Sequence, residues 1–146
     1  MKITNRKAFF NFEILDRFEA GITLYGQEVK AIRLGHADLT GSFVKIIGSE
    51  AYLVNAKVFP YKNARSEDYD ATRTRKLLLH KSEIISLKSK IDSQNLSIVP
   101  LSLYLKSHLV KVELALGKGK KKYEKKQSIK KKDLQRELET DLSSRS

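Results

Sequence analysis

The chain has no cysteine, which removes disulfides and thiolate metal sites from consideration. Its only imidazoles, His36, His80 and His108, are too scattered to suggest zinc. No run of about 18 apolar residues is present, and Met1-Lys2-Ile3-Thr4-Asn5 lacks the apolar core of a secretory signal. The expectation is therefore a cytoplasmic protein that does not span a membrane. Also missing are a P-loop, a nucleophile elbow, paired metal-binding histidines and a glycine-rich dinucleotide loop. Enzymatic chemistry thus has little support, and neither a catalytic residue, a cofactor nor a metal is expected. Glu67, Asp68 and Asp70 are the acids that a magnesium-dependent nuclease would need, but such loop acids more often serve solubility.

Positive charge is in excess. Lysine and arginine number 29 against 17 aspartates and glutamates, a net +12, so the protein is expected to meet a polyanion: RNA, DNA or an anionic membrane. A length of 146 residues is enough for one modest core and a tail. Residues 1–116 hold 18 basic and 12 acidic side chains, whereas residues 117–132 hold nine lysines and one glutamate. Residues 133–146 return to a net −2. The basic block has too little apolar surface to offset the entropy of ordering, so a tail over 117–146 is expected to be disordered when free. Ser128 can cap a helix there, and Leu134, Leu138 and Leu142 would share one face of it, which predicts folding on binding to a polyanion.

In residues 1–116 the hydrophobic period decides the elements. Phe10, Phe12 and Ile14, then Ile22 and Leu24, alternate at period two, which predicts extended chain over 9–24 with a break near Glu19-Ala20-Gly21. Phe10 and Phe12 then share a face, while Phe9 points the other way. Val29 and Ile32 predict a helix over 26–34 ending at Gly35. Residues 42–47 and 50–54 form a predicted hairpin about Gly48-Ser49, followed by a strand at 56–59. A helix is expected over 83–90, capped by His80 or Ser82, and strands over 96–105 and 109–116. Pro100 requires a bulge or an edge because it has no N–H to donate. Six or seven antiparallel strands with two or three inserted helices favour a mainly β, OB-like barrel over 1–116, with a split α+β sandwich as the second reading.

Basic and aromatic residues interleave at Asn5-Arg6-Lys7-Ala8-Phe9-Phe10, a pattern suited to phosphates and to base stacking. Thr72, Arg73, Arg75 and Lys76 supply hydroxyl and cationic groups for phosphate contact, and Lys30 and Arg33 add charge on the first helix. Neutralising Arg73, Arg75 and Lys76 together is expected to weaken RNA binding without unfolding the barrel. Glu19, a carboxylate on a basic chain, pairs with Arg17 or Arg33 in the plain reading; Leu78 by composition belongs to a core.

Several strings, in order, resemble the bacterial tmRNA-binding (SsrA-binding, small protein B) family. They are Asn5-Arg6-Lys7-Ala8, Phe18-Glu19-Ala20-Gly21-Ile22, Glu28-Val29-Lys30-Ala31-Ile32-Arg33, Asp38-Leu39 with Ser42-Phe43-Val44, and Thr72-Arg73-Thr74-Arg75-Lys76-Leu77-Leu78-Leu79-His80-Lys81. Ser102-Leu103-Tyr104 and Lys111-Val112-Glu113-Leu114-Ala115-Leu116-Gly117-Lys118-Gly119-Lys120-Lys121 continue the series. The chain departs from the family at Glu124-Lys125-Lys126, where Asp-Lys-Arg is usual, and carries Phe10, Ala71 and His80 where members often have His, Pro and Asn.

The resemblance implies a non-enzymatic, monomeric adaptor whose barrel binds the tRNA-like domain of tmRNA and enters stalled ribosomes, delivered with elongation factor Tu. Glu19, Leu78 and His80 match positions that support tmRNA binding, beside Asn5, Arg6, Lys7 and Phe10. The tail, through Lys118, Lys120, Lys121, Lys122, Glu124, Lys125, Lys126, Lys130, Lys131 and Lys132, would face small-subunit rRNA at the decoding site and the empty mRNA channel. The rival from another class is a ribosomal or general single-strand nucleic-acid-binding protein with a basic tail.

Overall fold

The computed structural model describes residues 2–59 and 70–121. In chain order the elements are β1 (Lys2–Thr4), α1 (Arg6–Asn11), β2 (Phe12–Ile22), α2 (Gly26–Arg33), β3 (Ala37–Asp38) and β4 (Phe43–Ile47). Then come β5 (Glu50–Val54), β6 (Lys57–Val58), β7 (Arg75–Leu78), α3 (Lys81–Gln94), β8 (Ser97–Lys106) and β9 (Leu109–Gly119). Seven strands form one antiparallel sheet in the order β1-β8-β4-β5-β7-β2-β9, and β9 pairs back onto β8. The ring is thereby closed as a barrel. β8 meets β4 at its start, through Val44 opposite Ile98, and β1 at its end, through Lys2 opposite Tyr104. The short strands β3 and β6 pair separately.

Two bulges let the long strands serve two cores. On β2 the register against β9 shifts between Ile14 and Asp16, so Leu15 is the extra residue and its side chain is exposed. Beyond it Phe18, Ala20 and Ile22 face the barrel interior; before it Phe12 and Ile14 pack on the outside against Ala8, Val99, Leu101 and Ala115. β8 shifts likewise between Pro100 and Ser102, the bulge that the missing proline N–H demands. Ile98 and Leu103 thus reach the main core while Val99 and Leu101 reach the small one.

α1 covers the small core, and the sequence pattern missed it. The helix has no side-chain cap and buries only Ala8. It is held by Asn5, whose N–H donates to Leu101 O at 2.7 Å and whose Nδ2 donates to Pro100 O at 2.9 Å, on the β8 bulge. Three expectations change accordingly. Phe10 lies on a helix and not a strand, Phe9 packs on the same cluster as Phe12, and β2 runs unbroken through Glu19-Ala20-Gly21. β9 also continues past residue 116 to Gly119, where Lys120 N–H donates to Asn11 O.

α2 ends as its glycine requires. Gly35 takes φ 80°, its N–H bonds Ile32 O, and the His36 N–H bonds Ala31 O. α3 is capped by His80, one of the two expected caps, whose N–H donates to Glu83, and it extends beyond the predicted 83–90 at both ends, to a left-handed cap at Asn95, φ 53°.

Glu28 on α2 and Arg75 at the start of β7 are both fully buried. Glu28 Oε2 accepts from Arg75 Nε at 2.7 Å and forms an ion pair with its Nη2 at 2.6 Å. Its Oε1 accepts from Arg73 Nη2 at 2.6 Å and the Tyr25 N–H at 2.8 Å. The carbonyls of Ala56 and Arg73 accept from Nη1 and that of Ala71 from Nη2, so every guanidinium nitrogen of Arg75 has a hydrogen-bond partner. Arg75 is therefore held inside the fold, and removing it with Arg73 and Lys76 is expected to destabilise the barrel, where the sequence suggested a variant that keeps its fold.

Burial raises the Glu28 pKa, but the hydrogen bonds from Arg73, the Tyr25 N–H and Arg75 outweigh it and leave the carboxyl below the ordinary 4.5. A depressed folded-state value means the stabilisation is full above the unfolded pKa and is lost as pH falls through the folded one. Arg75→Met or Glu28→Gln is expected to cost about 3–5 kcal/mol in urea unfolding near neutral pH, because each strands its partner's polar groups. For Glu28→Gln the gap from the wild type should narrow below pH 4.5. A loss under about 1 kcal/mol would show the pair to be incidental.

Candidate nucleic-acid interface

Outward-facing residues of five adjacent strands form one row. The pairings Lys2 with Tyr104, Tyr104 with Lys111, Lys111 with Gly21, and Gly21 with Leu78 carry it from β1 across β8, β9 and β2 to β7. Their inward neighbours Ile3, Leu103, Val112, Ala20 and Leu77 belong to the main core or pack on it, so strand alternation fixes the row on the outside. Leu78 is 58% exposed. It lies over Gly21, where a Cβ would come 3.2 Å from Leu78 Cδ1, so any larger residue there would displace the leucine.

Glu19 sits beside this row and pairs with neither Arg17 nor Arg33. Its Oε2 accepts from the Tyr104 hydroxyl and its Oε1 from Lys106 Nζ at 3.4 Å. The Tyr104 hydrogen bond, together with Lys106 and Lys111, holds the carboxyl below its ordinary value against slight desolvation. Tyr104 is in turn pushed well above the usual tyrosine range by burial and by the carboxylate, so it remains a donor. Arg17 instead bridges Glu113 at 3.3 Å, with its guanidinium 5.5 Å from the Phe9 ring centre. On the next strand Lys76 Nζ reaches Glu50 at 3.0 Å.

The other sequence candidates divide by exposure. Arg6, Lys7, Lys30, Arg33, Thr72 and His80 are exposed, and Phe10 is half-buried. Thr72 is turned onto Asp70 through its N–H and hydroxyl, both at 3.0 Å. Arg73 is three-quarters buried, its guanidinium split between Glu28 and the face of Tyr25. Asn5 and Arg75 are buried in the fold and cannot reach an RNA surface, a correction to both assignments. Of the tail lysines, Lys118 is exposed on β9 opposite Glu13, Lys120 Nζ donates to Phe9 O at 3.3 Å, and Lys121 is exposed. Lys122, Glu124, Lys125, Lys126, Lys130, Lys131 and Lys132 lie outside the described residues, as do Glu67, Asp68 and the helix expected from Ser128. Among the described residues no group of three metal-ligating side chains occurs, and no helix is long and apolar enough to cross a membrane.

Lys2, Tyr104, Lys106 and Lys111 were not singled out from sequence. Tyr104 and Lys106 alternate with core leucines along β8, and Lys111 between Val110 and Val112 does so on β9. This alternation marks them as outward, yet only strand order brings them to Glu19. The assembled face offers ammonium groups for phosphates, an ionised carboxylate able to accept from base amino groups, and an exposed apolar side chain for a base or sugar.

A family model described as SmpB protein matches residues 2–144. An SsrA-binding protein of Sulfurihydrogenibium sp. (strain YO3AOP1) is 52% identical over 136 residues, 93% of this chain and 90% of that protein. Another, of Persephonella marina, is 49% identical over 135 residues, 92% of this chain and 89% of that protein. A solved structure described as "tmRNA-SmpB: a journey to the center of the bacterial ribosome" superposes with TM-score 0.69 at 43% identity, covering 83% of this chain and 85% of that one.

Tyr104→Phe keeps the ring and deletes the donor to Glu19. The Glu19 carboxyl should then titrate closer to its ordinary 4.5 in a side-chain carbon NMR titration of the folded variant. An unchanged titration would assign control of the carboxylate to Lys106 and Lys111.

Proposed function

The chain belongs to the SmpB protein family, and from that premise we propose that it binds the tRNA-like domain of tmRNA and brings it to stalled ribosomes for trans-translation. The observation that carries this reading is the ordered Glu19–Tyr104–Lys106 constellation beside Leu78 on an outward barrel face. A protein that only needs to hold a polyanion gains nothing from a carboxylate there, because phosphate repels it. A protein that recognises a folded RNA gains an acceptor for exocyclic amino groups, already aligned by two donors.

In this role the chain works in the cytoplasm as a monomeric adaptor without chemistry of its own, delivered with elongation factor Tu. The barrel, proposed as the domain over 1–116 and its strand continuation, holds the RNA. The basic tail over 117–146 enters the vacant mRNA channel and approaches small-subunit rRNA. Its nine lysines between 117 and 132 supply a long-range attraction that falls steeply with salt. Folding of the stretch from Ser128 to Leu142 on the ribosome would place Leu134, Leu138 and Leu142 on one helix face.

Competition binding tests the reading. The tRNA-like domain of tmRNA should outcompete unstructured RNA of equal length, and Glu19→Ala should lose roughly 10- to 100-fold in affinity while unfolding like the wild type, the scale of a hydrogen bond to a charged group. Equal competition by unstructured RNA would favour the general single-strand binder, and tighter binding by Glu19→Ala would mean simple relief of phosphate repulsion. For the tail, scrambling residues 122–146 at constant composition should leave RNA affinity intact but abolish peptide tagging on stalled ribosomes. Full tagging with the scrambled tail would reduce its role to charge.

A further inference from the structure

We propose that Tyr25, backed by Arg73, is a stacking platform for an unpaired nucleobase of the bound RNA, with purines preferred; this rests on the RNA-binding reading above. Tyr25 is 60% exposed at the start of α2. The guanidinium of Arg73 covers one face of its ring, 4.2 Å from the centroid. That arginine is tied down by Glu28 at 2.6 Å and by the carbonyls of Thr23 and Thr74 at 3.4 Å each. The tyrosine backbone is pinned to the same Glu28 at 2.8 Å. An aromatic side chain fixed at both its backbone and one face loses little freedom when a second ring stacks on it.

The surroundings point to a base in preference to an apolar protein side chain. At the adjoining Gly26 a Cβ would meet nothing within 4 Å from beyond its chain neighbours and its own helix, so no other part of the fold crowds the backbone next to Tyr25. A cation behind one face draws electron density from the ring and improves its contact with an electron-rich aromatic partner on the other, which favours purines over pyrimidines. Stacking of splayed bases on aromatic residues is a general mode of RNA recognition. The platform also adjoins the face described above: Thr23 N–H donates to Lys76 O at 2.9 Å, two residues along the same strand pair from Gly21 and Leu78. Thr74, exposed next to Arg73 in the chain, can donate to a phosphate of the same nucleotide.

The test uses the full chain and a transcript of the tRNA-like domain of tmRNA, with affinity measured across a salt series. Tyr25→Leu should bind about tenfold more weakly, the size of one lost base stack, and Tyr25→Phe should stay within about twofold of the wild type. Because stacking releases no counterions, the slope of log affinity against log salt should be the same in all three proteins. Binding by Tyr25→Leu at wild-type strength, an equal loss in Tyr25→Phe, or a shallower salt slope in Tyr25→Leu would each overturn the platform. A wild-type protein that failed to bind the transcript would instead overturn the proposed function, and the platform with it.

Discussion

The arrangement hangs on a carboxylate with no access to water. Glu28 on α2 is surrounded by two guanidinium groups and a backbone N–H, and the arginines come from the segment entering β7. Burying three charges costs several kcal/mol per ion in desolvation, and the attraction repays this only where every donor is matched. Here each guanidinium nitrogen of Arg75 has a partner, while at Arg73 the Nε is buried without one. The benefit lies in position. The network fixes α2 against the barrel end, sets where β7 begins, and so determines which residues of residues 75–79 point outward.

From that starting point the outer face follows by strand geometry. β7 enters with Arg75 inward, hence Lys76 outward, Leu77 inward and Leu78 outward, opposite Gly21 on β2. The bulge at Leu15 then has a separate effect on the same strand: it turns Phe12 and Ile14 to the outside, where α1 covers them, while Phe18, Ala20 and Ile22 fill the barrel. Glu19, on the outer side between these inward residues, is left facing the Tyr104 and Lys106 side chains of β8 across β9. One buried ion cluster and one extra residue thus place Leu78 and Glu19 on a common surface.

Much of this was legible in the sequence, and the failures have definite physical causes. The hairpin about Gly48, both long helices, the two C-terminal strands and the Pro100 bulge follow from period and backbone chemistry, which are local. α1 was hidden because six residues without a cap are held by tertiary contact to β8, and a fortuitous alternation of Phe10, Phe12 and Ile14 mimicked a strand. Arg75 was misassigned because arginine near RNA suggests phosphate, yet its alternation with Leu77 and Leu79 placed it on the inward face. Glu28 carried the matching signal, lying on the helix face of Ala31 and Ile32, which are buried. The partners of Glu19 could not be read at all, since they depend on β9 lying between β2 and β8.

On the proposed reading, charge on the barrel face serves discrimination more than attraction. Lys106 is engaged by Glu19, Arg17 by Glu113 and Lys76 by Glu50, so these cations are already partly satisfied before any ligand arrives. An indiscriminate polyanion that takes up the lysines leaves carboxylates facing phosphate, a repulsive outcome. An RNA that presents amino groups to Glu19 while its phosphates meet the displaced cations gains on both sides, and the difference between the two is selectivity. The tail has the opposite composition, with nine lysines and one glutamate in residues 117–132, and therefore supplies attraction that any polyanion would feel. Separating the two tasks along the chain allows the tail to be strongly basic without eroding the barrel's preference, because increasing its charge raises affinity for right and wrong RNAs alike.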